Sequence, residues 1–461
     1  MISSLTASEL VLYFSAAFFT CPIIRIGPDE LHINDPTFYD VCYVPNYKFV
    51  NYRPHYKFVS PMDTLMGLAD RDPAAHKKRR GVLSRLFSRS HVQKLERNIQ
   101  GHIARFEEIL STYAQTKDAK AMERGMCLSK LLRCLAIDII SEYLFSEGFD
   151  TLLEDPDNHL IKTLKRGARN VWFFNFFWPV HHLLIMLPQR ILKVLVPKRL
   201  RGTADLEQFC ADQVDELIHD PAKAQAKSTH TTIFQVLMEG GKDGSSPRPS
   251  RQALIGEAVT LTAAGLETTG STLSSAVYYA CLNPSVQEKL HDELVRAFPG
   301  VGEKSSDEIE LAKCERLPYL TAVLKESLRI SPGLPGRLPR VTPRGGTVCG
   351  TTHIPECTAV SMSIYLMHQN PSVYPNPKVF EPERWIETPN DPLREKYLVP
   401  FSKGSRSCLG LHLASAEIYL TLAVMFRRFK FTLHKDNELT ADWVDNLLLD
   451  PQGELIVSVE E

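Results

Sequence analysis

Phe401 to Gly410 reads F-S-K-G-S-R-S-C-L-G, and an apolar-periodic stretch from near Leu409 to Phe429 follows directly. Gly404 permits a tight turn, and Gly410 permits close approach of the backbone to a flat partner. The periodic stretch predicts a long helix. Cys408 therefore sits just ahead of a helix N-terminus, where the dipole and free N–H groups favour a thiolate. A packing cysteine ahead of a helix is the plainer alternative at this point.

The other nine cysteines are scattered without a C-x-x-C pair. That spacing excludes a disulfide framework or structural zinc site, fits a reducing compartment, and predicts small buried hydrophobes. With 44% apolar and 23% charged residues and a net charge of -1, the 461-residue chain reads as a folded protein. Nothing in that balance calls for nucleic acid. Leu10 to Ile24 is largely apolar but shorter than the roughly 20 residues a membrane-spanning helix needs. Residues 1–22 are read as an apolar segment, either core-like or a shortened anchor.

Strand-like alternation runs from Ile23 to Ile33, with a turn at Gly27–Pro28. Helical spacing dominates from Pro73 to Phe298, interrupted by the polar loop Lys242–Ser250. Ser250 to Asn283 predicts one helix crossing the whole molecule and ending before Pro284. A shorter helix is expected at Pro318–Ile330, strands within Pro339–Met362, and a Pro-rich stretch up to Trp385. Strand-like pieces follow at Lys430–His434 and Glu454–Val459. Residues 23–461 are thus expected to form one mainly α domain with a small β region.

Three further patterns stand out. Glu326 and Arg329 share a helix face at i, i+3, although the same spacing recurs at Glu293/Arg296 and Glu381/Arg384. Ala264-Gly-Leu-Glu-Thr-Thr269 places glycine and threonines in mid-helix against propensity. Gly265 would let a ligand lie against the backbone, and Glu267 and Thr268 could relay protons. Back-bonding of the threonine, with Glu267 facing solvent, is the bland alternative. His76 and Arg80, in the basic run H-K-K-R-R, lie one helical turn apart.

Taken together these residues resemble the cytochrome P-450 family. Phe401, Gly404, Arg406, Cys408 and Gly410 match its cysteine loop, a coincidence expected on the order of once in 10⁴ chains of this length. Glu326-Ser-Leu-Arg329 stands at the family's distance before that loop, and Phe380-Glu-Pro-Glu-Arg-Trp385 supplies a second arginine, Arg384. Ala264 to Thr269 matches the oxygen-activation motif. The resemblance implies the family fold, with haem b between the long central helix and the C-terminal helix. Cys408 would be the iron ligand, and His76, Arg80, Arg340 and Arg406 would address the propionates. His76 departs from the usual tryptophan. Ala264 and Gly265 would lie against the cofactor, Glu267 and Thr268 would be acid and alcohol, and Glu326, Arg329 and Arg384 would brace the loop.

The implied activity is insertion of one oxygen atom of O₂ into an apolar small molecule. Ile26-Gly-Pro-Asp-Glu-Leu-His32 and Pro335-Gly-Arg-Leu-Pro-Arg-Val341 look most like fungal secondary-metabolism members such as trichodiene-oxygenase-like enzymes. A separate NADPH-dependent reductase is implied, with Lys403 as a candidate contact. Pocket candidates are Tyr52–Asp70, Leu261, Ala264, Gly333–Gly336 and the aromatic run Trp172–Trp178. A monomer is expected, at the cytoplasmic face of the endoplasmic reticulum membrane. Two other readings are a haem-thiolate isomerase or dehydratase that does not use O₂, and a haem protein without turnover.

Overall fold

The computed structural model describes residues 22–52, 72–116, 119–145, 148–153, 202–220, 230–239, 249–300, 306 and 308–461. The apolar segment before Pro22, the aromatic run Trp172–Trp178 and nearly all of Tyr52–Asp70 and Lys242–Ser250 lie outside them.

Helix starts follow their caps. Helix α1 (Pro36–Cys42) opens with the Asp35 side chain accepting the Thr37 N–H, and α2 (Pro73–Leu86) with Asp72 accepting that of Ala74. Each has proline at its first position, where no N–H is needed. Then come α3 (Glu96–Ala114), α4 (Leu128–Phe145) and α5 (Gly202–His219). Helix α6, Arg251–Leu282, is the long helix expected from the sequence, capped by Ser250, whose hydroxyl accepts the Ala253 N–H. Its 32 residues span about 48 Å. Pro284 both stops it and opens α7 (Pro284–Ala297). Helix α8 (Pro318–Ile330) and α9 (Leu411–Arg428) complete the frame. Helix α6 runs along α4 and also touches α5, α8 and α9, so it is covered on most faces.

The strands are β1 (Ile23–Gly27), β2 (Glu30–Ile33), β3 (Val50–Asn51), β4 (Met126–Cys127), β5 (Arg340–Val341), β6 (Thr347–Cys349), β7 (Thr352–Ile354), β8 (Ala359–Ser361), β9 (Lys430–Leu433), β10 (Trp443–Asn446), β11 (Leu448–Pro451) and β12 (Ile456–Glu460). The largest sheet has the order β1-β2-β8-β5-β3, with β2 and β8 parallel from Glu30↔Ala359. Strand β12 pairs with both β4 and β9, which ties the C-terminus to the start of α4. The hairpin β10–β11 escaped the sequence reading. It turns at Leu447, with φ 74°, and offers none of the Asn-Gly or Asp-Gly signals that mark such turns.

One large apolar core joins α2 to α9, while a second lies under the β1–β3 sheet and includes Tyr39, Tyr43 and Trp385. The cysteine loop sits where the two meet. Among the described cysteines, Cys42, Cys134, Cys210, Cys314 and Cys349 are buried as expected, but Cys127 and Cys281 are only partly so and Cys357 is exposed.

Candidate active site

Cys408 is held by its own loop. Its N–H donates to the Phe401 carbonyl at 2.8 Å, and Ser405 N–H donates to Val44 O at 3.3 Å. Gly404 has φ +77°, and a Cβ there would lie 2.6–2.7 Å from the carbonyl oxygens of Val44 and Tyr43. Only glycine combines that conformation with that approach. Lys403 donates to Asp40 Oδ1 at 3.1 Å and to Lys396 O at 2.7 Å. These contacts tie the loop to α1, and Asp40 also takes Lys396 at 2.8 Å, so two lysines share one carboxylate. Phe401 packs half-buried against the helical core.

The Cys408 side chain carries accessible surface, yet burial pushes its thiol above the ordinary value. The Gly410 N–H and the Arg80 guanidinium pull the other way. The expected helix-terminus and cation effects are thus present, but desolvation outweighs them in the protein alone. A Cβ on Gly410 would meet nothing within 4 Å, so space is open beside the cysteine.

Cations gather on one side. Arg80 donates to Ser407 O at 2.8 Å and to its hydroxyl at 3.2 Å. The Arg340 guanidinium lies 5.2 Å from the Tyr43 ring centre, and that of Arg406 5.9 Å from the Tyr47 ring centre. His76, 2% exposed, hydrogen-bonds Tyr47 Oη through Nδ1 at 2.8 Å. Burial, then Arg406, Arg80, Arg79 and Arg340, hold its pKa down to about 3. His76 is therefore a neutral imidazole inside a strongly positive patch.

On α6, Ala264 is exposed although it lies in mid-helix, whereas Leu261 is buried in the core at 7%. Thr268 donates to Ala264 O at 2.8 Å, the back-bonding of the bland alternative. The rest of that alternative fails, since Glu267 is 7% exposed and accepts from Arg133 Nε at 3.2 Å. Gly265 has a packing reason: a Cβ there would sit 3.0–3.1 Å from Ile140 of α4. A Cβ on Gly333 would lie 2.9 Å from Thr268 Cβ and Cγ2. Gly333 therefore lies against α6 one turn beyond the exposed Ala264, whereas Gly336 faces Asp445 of β10.

Glu326 lies between two guanidiniums, as the sequence implied. Arg329 meets it at 2.9 and 2.7 Å and Arg384 at 3.1 Å. Trp385 Nε1 and the Glu381 N–H, each at 2.9 Å, complete its shell. Both Glu326 and Arg329 are 0% exposed. The decoy Glu293 does something else, accepting the Tyr319 and Leu320 N–H groups at the start of α8. His368 was missed. Its Nε2 accepts the Val399 N–H at 2.9 Å, so its Nδ1–H donates to Arg329 O at 3.1 Å. It links the buried ion pairs to the chain entering the cysteine loop, and no motif marks a lone histidine in such a place.

Among the described residues no helix is long and apolar enough to cross a membrane, and no group of three or more His, Cys, Asp or Glu could hold a metal ion. The family model described as "Cytochrome P450" matches residues 23–457. A cytochrome P450 monooxygenase of Penicillium crustosum (claJ) is 35% identical over 427 residues, covering 90% of this chain and 92% of the relative. An N-acetyltryptophan 6-hydroxylase of Emericella nidulans is 32% identical over 459 residues, covering 95% and 85%. Among solved structures, the haem domain of cytochrome P450DA superposes with a TM-score of 0.75 at 18% identity, covering 99% of this chain and 94% of that one. That last likeness speaks for the fold alone.

Proposed function

Since the chain belongs to the cytochrome P450 family, whose members carry a thiolate-ligated haem, we propose that Cys408 is the axial ligand of a haem b. The carrying observation is an accessible thiol ahead of the N-terminus of α9, with the Arg80 guanidinium acting on it. Coordination to iron deprotonates a thiol outright, which offsets the burial that otherwise holds it protonated. The donor set fits the rest of such a group. Arg80, Arg340 and Arg406 supply cations for two propionates. Neutral His76 would contribute a hydrogen bond through Nε2 rather than a charge.

When bound, the haem supplies the iron chemistry by which one atom of O₂ enters a C–H or C=C bond and the other leaves as water. The chain's own part is to orient and to move protons. Ala264 offers the exposed surface of α6, and Gly265 beside it lets this part of the helix lie close against Ile140 of α4. With the haem bound, the Thr268 hydroxyl, which now donates to Ala264 O, would be free to turn and hand on a proton, and Glu267 would return one to that hydroxyl. Glu326, Arg329, Arg384 and His368 keep the loop entering Cys408 in place.

The substrate is read as an apolar small molecule of fungal secondary metabolism, admitted along Ala264 and Gly333–Gly336. A separate NADPH-dependent reductase supplies the electrons. Residues 23–461 form the haem-binding unit, and residues 1–22 associate with the endoplasmic reticulum membrane, leaving the enzyme on its cytoplasmic face. The test is the difference spectrum of dithionite-reduced protein with and without carbon monoxide, for wild type and Cys408→His. A strongly red-shifted Soret band, lost in the variant, is expected. A band at the ordinary haem position in wild type, or no haem band, overturns the reading.

A further inference from the structure

The hairpin β10–β11 stands on the segment that follows α8. Leu449 N–H donates to Gly333 O at 3.1 Å, and the Trp443 and Tyr365 ring centres lie 4.8 Å apart. Pro335 O accepts the Tyr365 N–H at 3.1 Å and the Ser363 hydroxyl at 2.7 Å. Gly333–Gly336 is thus held by two separate stretches of chain. At its start Gly333 meets Thr268 of α6. At its end a Cβ on Gly336 would lie 2.6 Å from Asp445 Oδ2. Those two glycines are three residues apart, so at most about 11 Å of chain separates the two contacts.

Asp445 has one occupied oxygen and one open one. Its Oδ1 accepts the Leu447 N–H at 3.0 Å, while no described residue hydrogen-bonds Oδ2. Arg337, whose charge acts on the carboxylate, is ion-paired instead with Glu30 of β2 at 2.6 Å. Asp445 is exposed, yet burial pushes its carboxyl above the ordinary value, and the Leu447 N–H and Arg337 oppose this only in part. A carboxylate that is reachable but crowded by protein gains more from a cation than one in open water. The turn at Leu447 does not account for the charge. Asparagine closes such a turn as aspartate does, so a neutral side chain would serve the Leu447 N–H equally.

We infer that Asp445 anchors the protonated amine of a substrate whose apolar body lies along Gly333–Gly336 toward Thr268. This rests on the reading of α6 at Ala264 and Thr268 as the oxidising end of the site. It narrows the apolar substrate of that reading to one bearing a basic nitrogen. Apart from Arg337, the segment Gly333–Leu338 is apolar, which suits the body, and Asp445 supplies the anion. The bound on chain length limits the spacing. Amine and oxidised carbon are on the order of 10 Å apart or less. A charge held at a fixed place on a braced segment also selects which carbon faces Thr268. Asp445 is thus a specificity-determining residue.

Titration calorimetry of the holoenzyme with an amine and an alcohol of the same skeleton tests this. The pairs are tryptamine with tryptophol, phenethylamine with phenethyl alcohol, and decylamine with decanol. In wild type the amine is expected to bind about tenfold tighter than its alcohol on the skeletons that fit. Asp445→Asn, which keeps an acceptor for the Leu447 N–H, should abolish that ratio and leave alcohol affinity unchanged. Equal affinities in wild type, or no amine bound on any skeleton, overturn the proposal. So does a ratio that survives in Asp445→Asn. Equal weakening of amine and alcohol in the variant marks a merely structural role and overturns it as well. A Soret shift to the red on adding amine puts the nitrogen on the iron instead, with the same consequence. Heats of binding need no turnover, and the carbon monoxide spectrum reads only the Cys408 ligand, so the two readings fail separately.

Discussion

Thr268 already has a hydrogen-bond partner, the Ala264 carbonyl at 2.8 Å, and its methyl group faces Gly333. Its proposed role therefore requires exchanging one hydrogen bond for another of similar strength, a small cost in free energy. Thr268→Val retains the methyl contact and removes only the hydroxyl. We expect product per NADPH to fall about tenfold or more while peroxide rises, with Thr268→Ser restoring coupling. Equal coupling in all three proteins, measured as product and peroxide per NADPH, would remove Thr268 from the proton path. The residue scale is also where motif reading worked unevenly. Glu326 and Glu293 open the same E-x-x-R pattern, yet one is a buried ion-pair centre and the other a helix cap. The pattern encodes only a shared helix face. Whether an arginine from another segment arrives is decided by packing.

At the scale of elements, the cysteine loop is built by approach between segments distant in sequence. Val44 and Tyr43, just after α1, press their carbonyls onto Gly404, and Lys403 ties the same region through Asp40. Gly404→Ala meets backbone oxygens at under 3 Å in a conformation L-residues disfavour, and should cost about 2–3 kcal/mol. Chemical denaturation checks the stability, and the carbon monoxide spectrum should show loss of the red-shifted band. An unchanged midpoint would mean that α1 can move away without loss. The glycine on α6 has a packing neighbour that the sequence did not show. Gly265 is matched to Ile140, so the close contact it permits is between α6 and α4. Composition shows that a helix tolerates glycine there, but not which neighbour comes close.

For the molecule as a whole, two buried histidines set an acid limit. Burial, aided by Arg337, holds His32 at about 4, and burial, aided by Arg329, holds His368 at about 3. Both values lie below the 6.5 of an unfolded chain, so the unfolded state binds more protons between those limits. Stability from this source is complete above about pH 6.5 and falls as pH drops toward 3–4. At pH 5 each histidine should have removed about 2 kcal/mol. Urea midpoints at pH 7 and pH 5 measure the loss, and His368→Gln should reduce it. Equal midpoints would mean that these imidazoles are solvated in the folded state.

The amino-acid sequence alone determined the extents of α6, α8 and α9 and the position of Cys408 ahead of α9. Those features depend on local periodicity, caps, prolines and glycines, all of which act within a few residues. Spacing put Glu326 and Arg329 on one helix face, whereas the grouping with Arg384 was legible only through the family resemblance, because packing brings that arginine in. Only the tertiary structure decided that Glu267 turns to Arg133, 134 residues away along the chain. It alone brought His368 under the cysteine loop and closed the Leu447 hairpin over Gly333. Those outcomes arise from which elements pack together and where a buried charge finds a partner. Neither leaves a periodic trace along the chain.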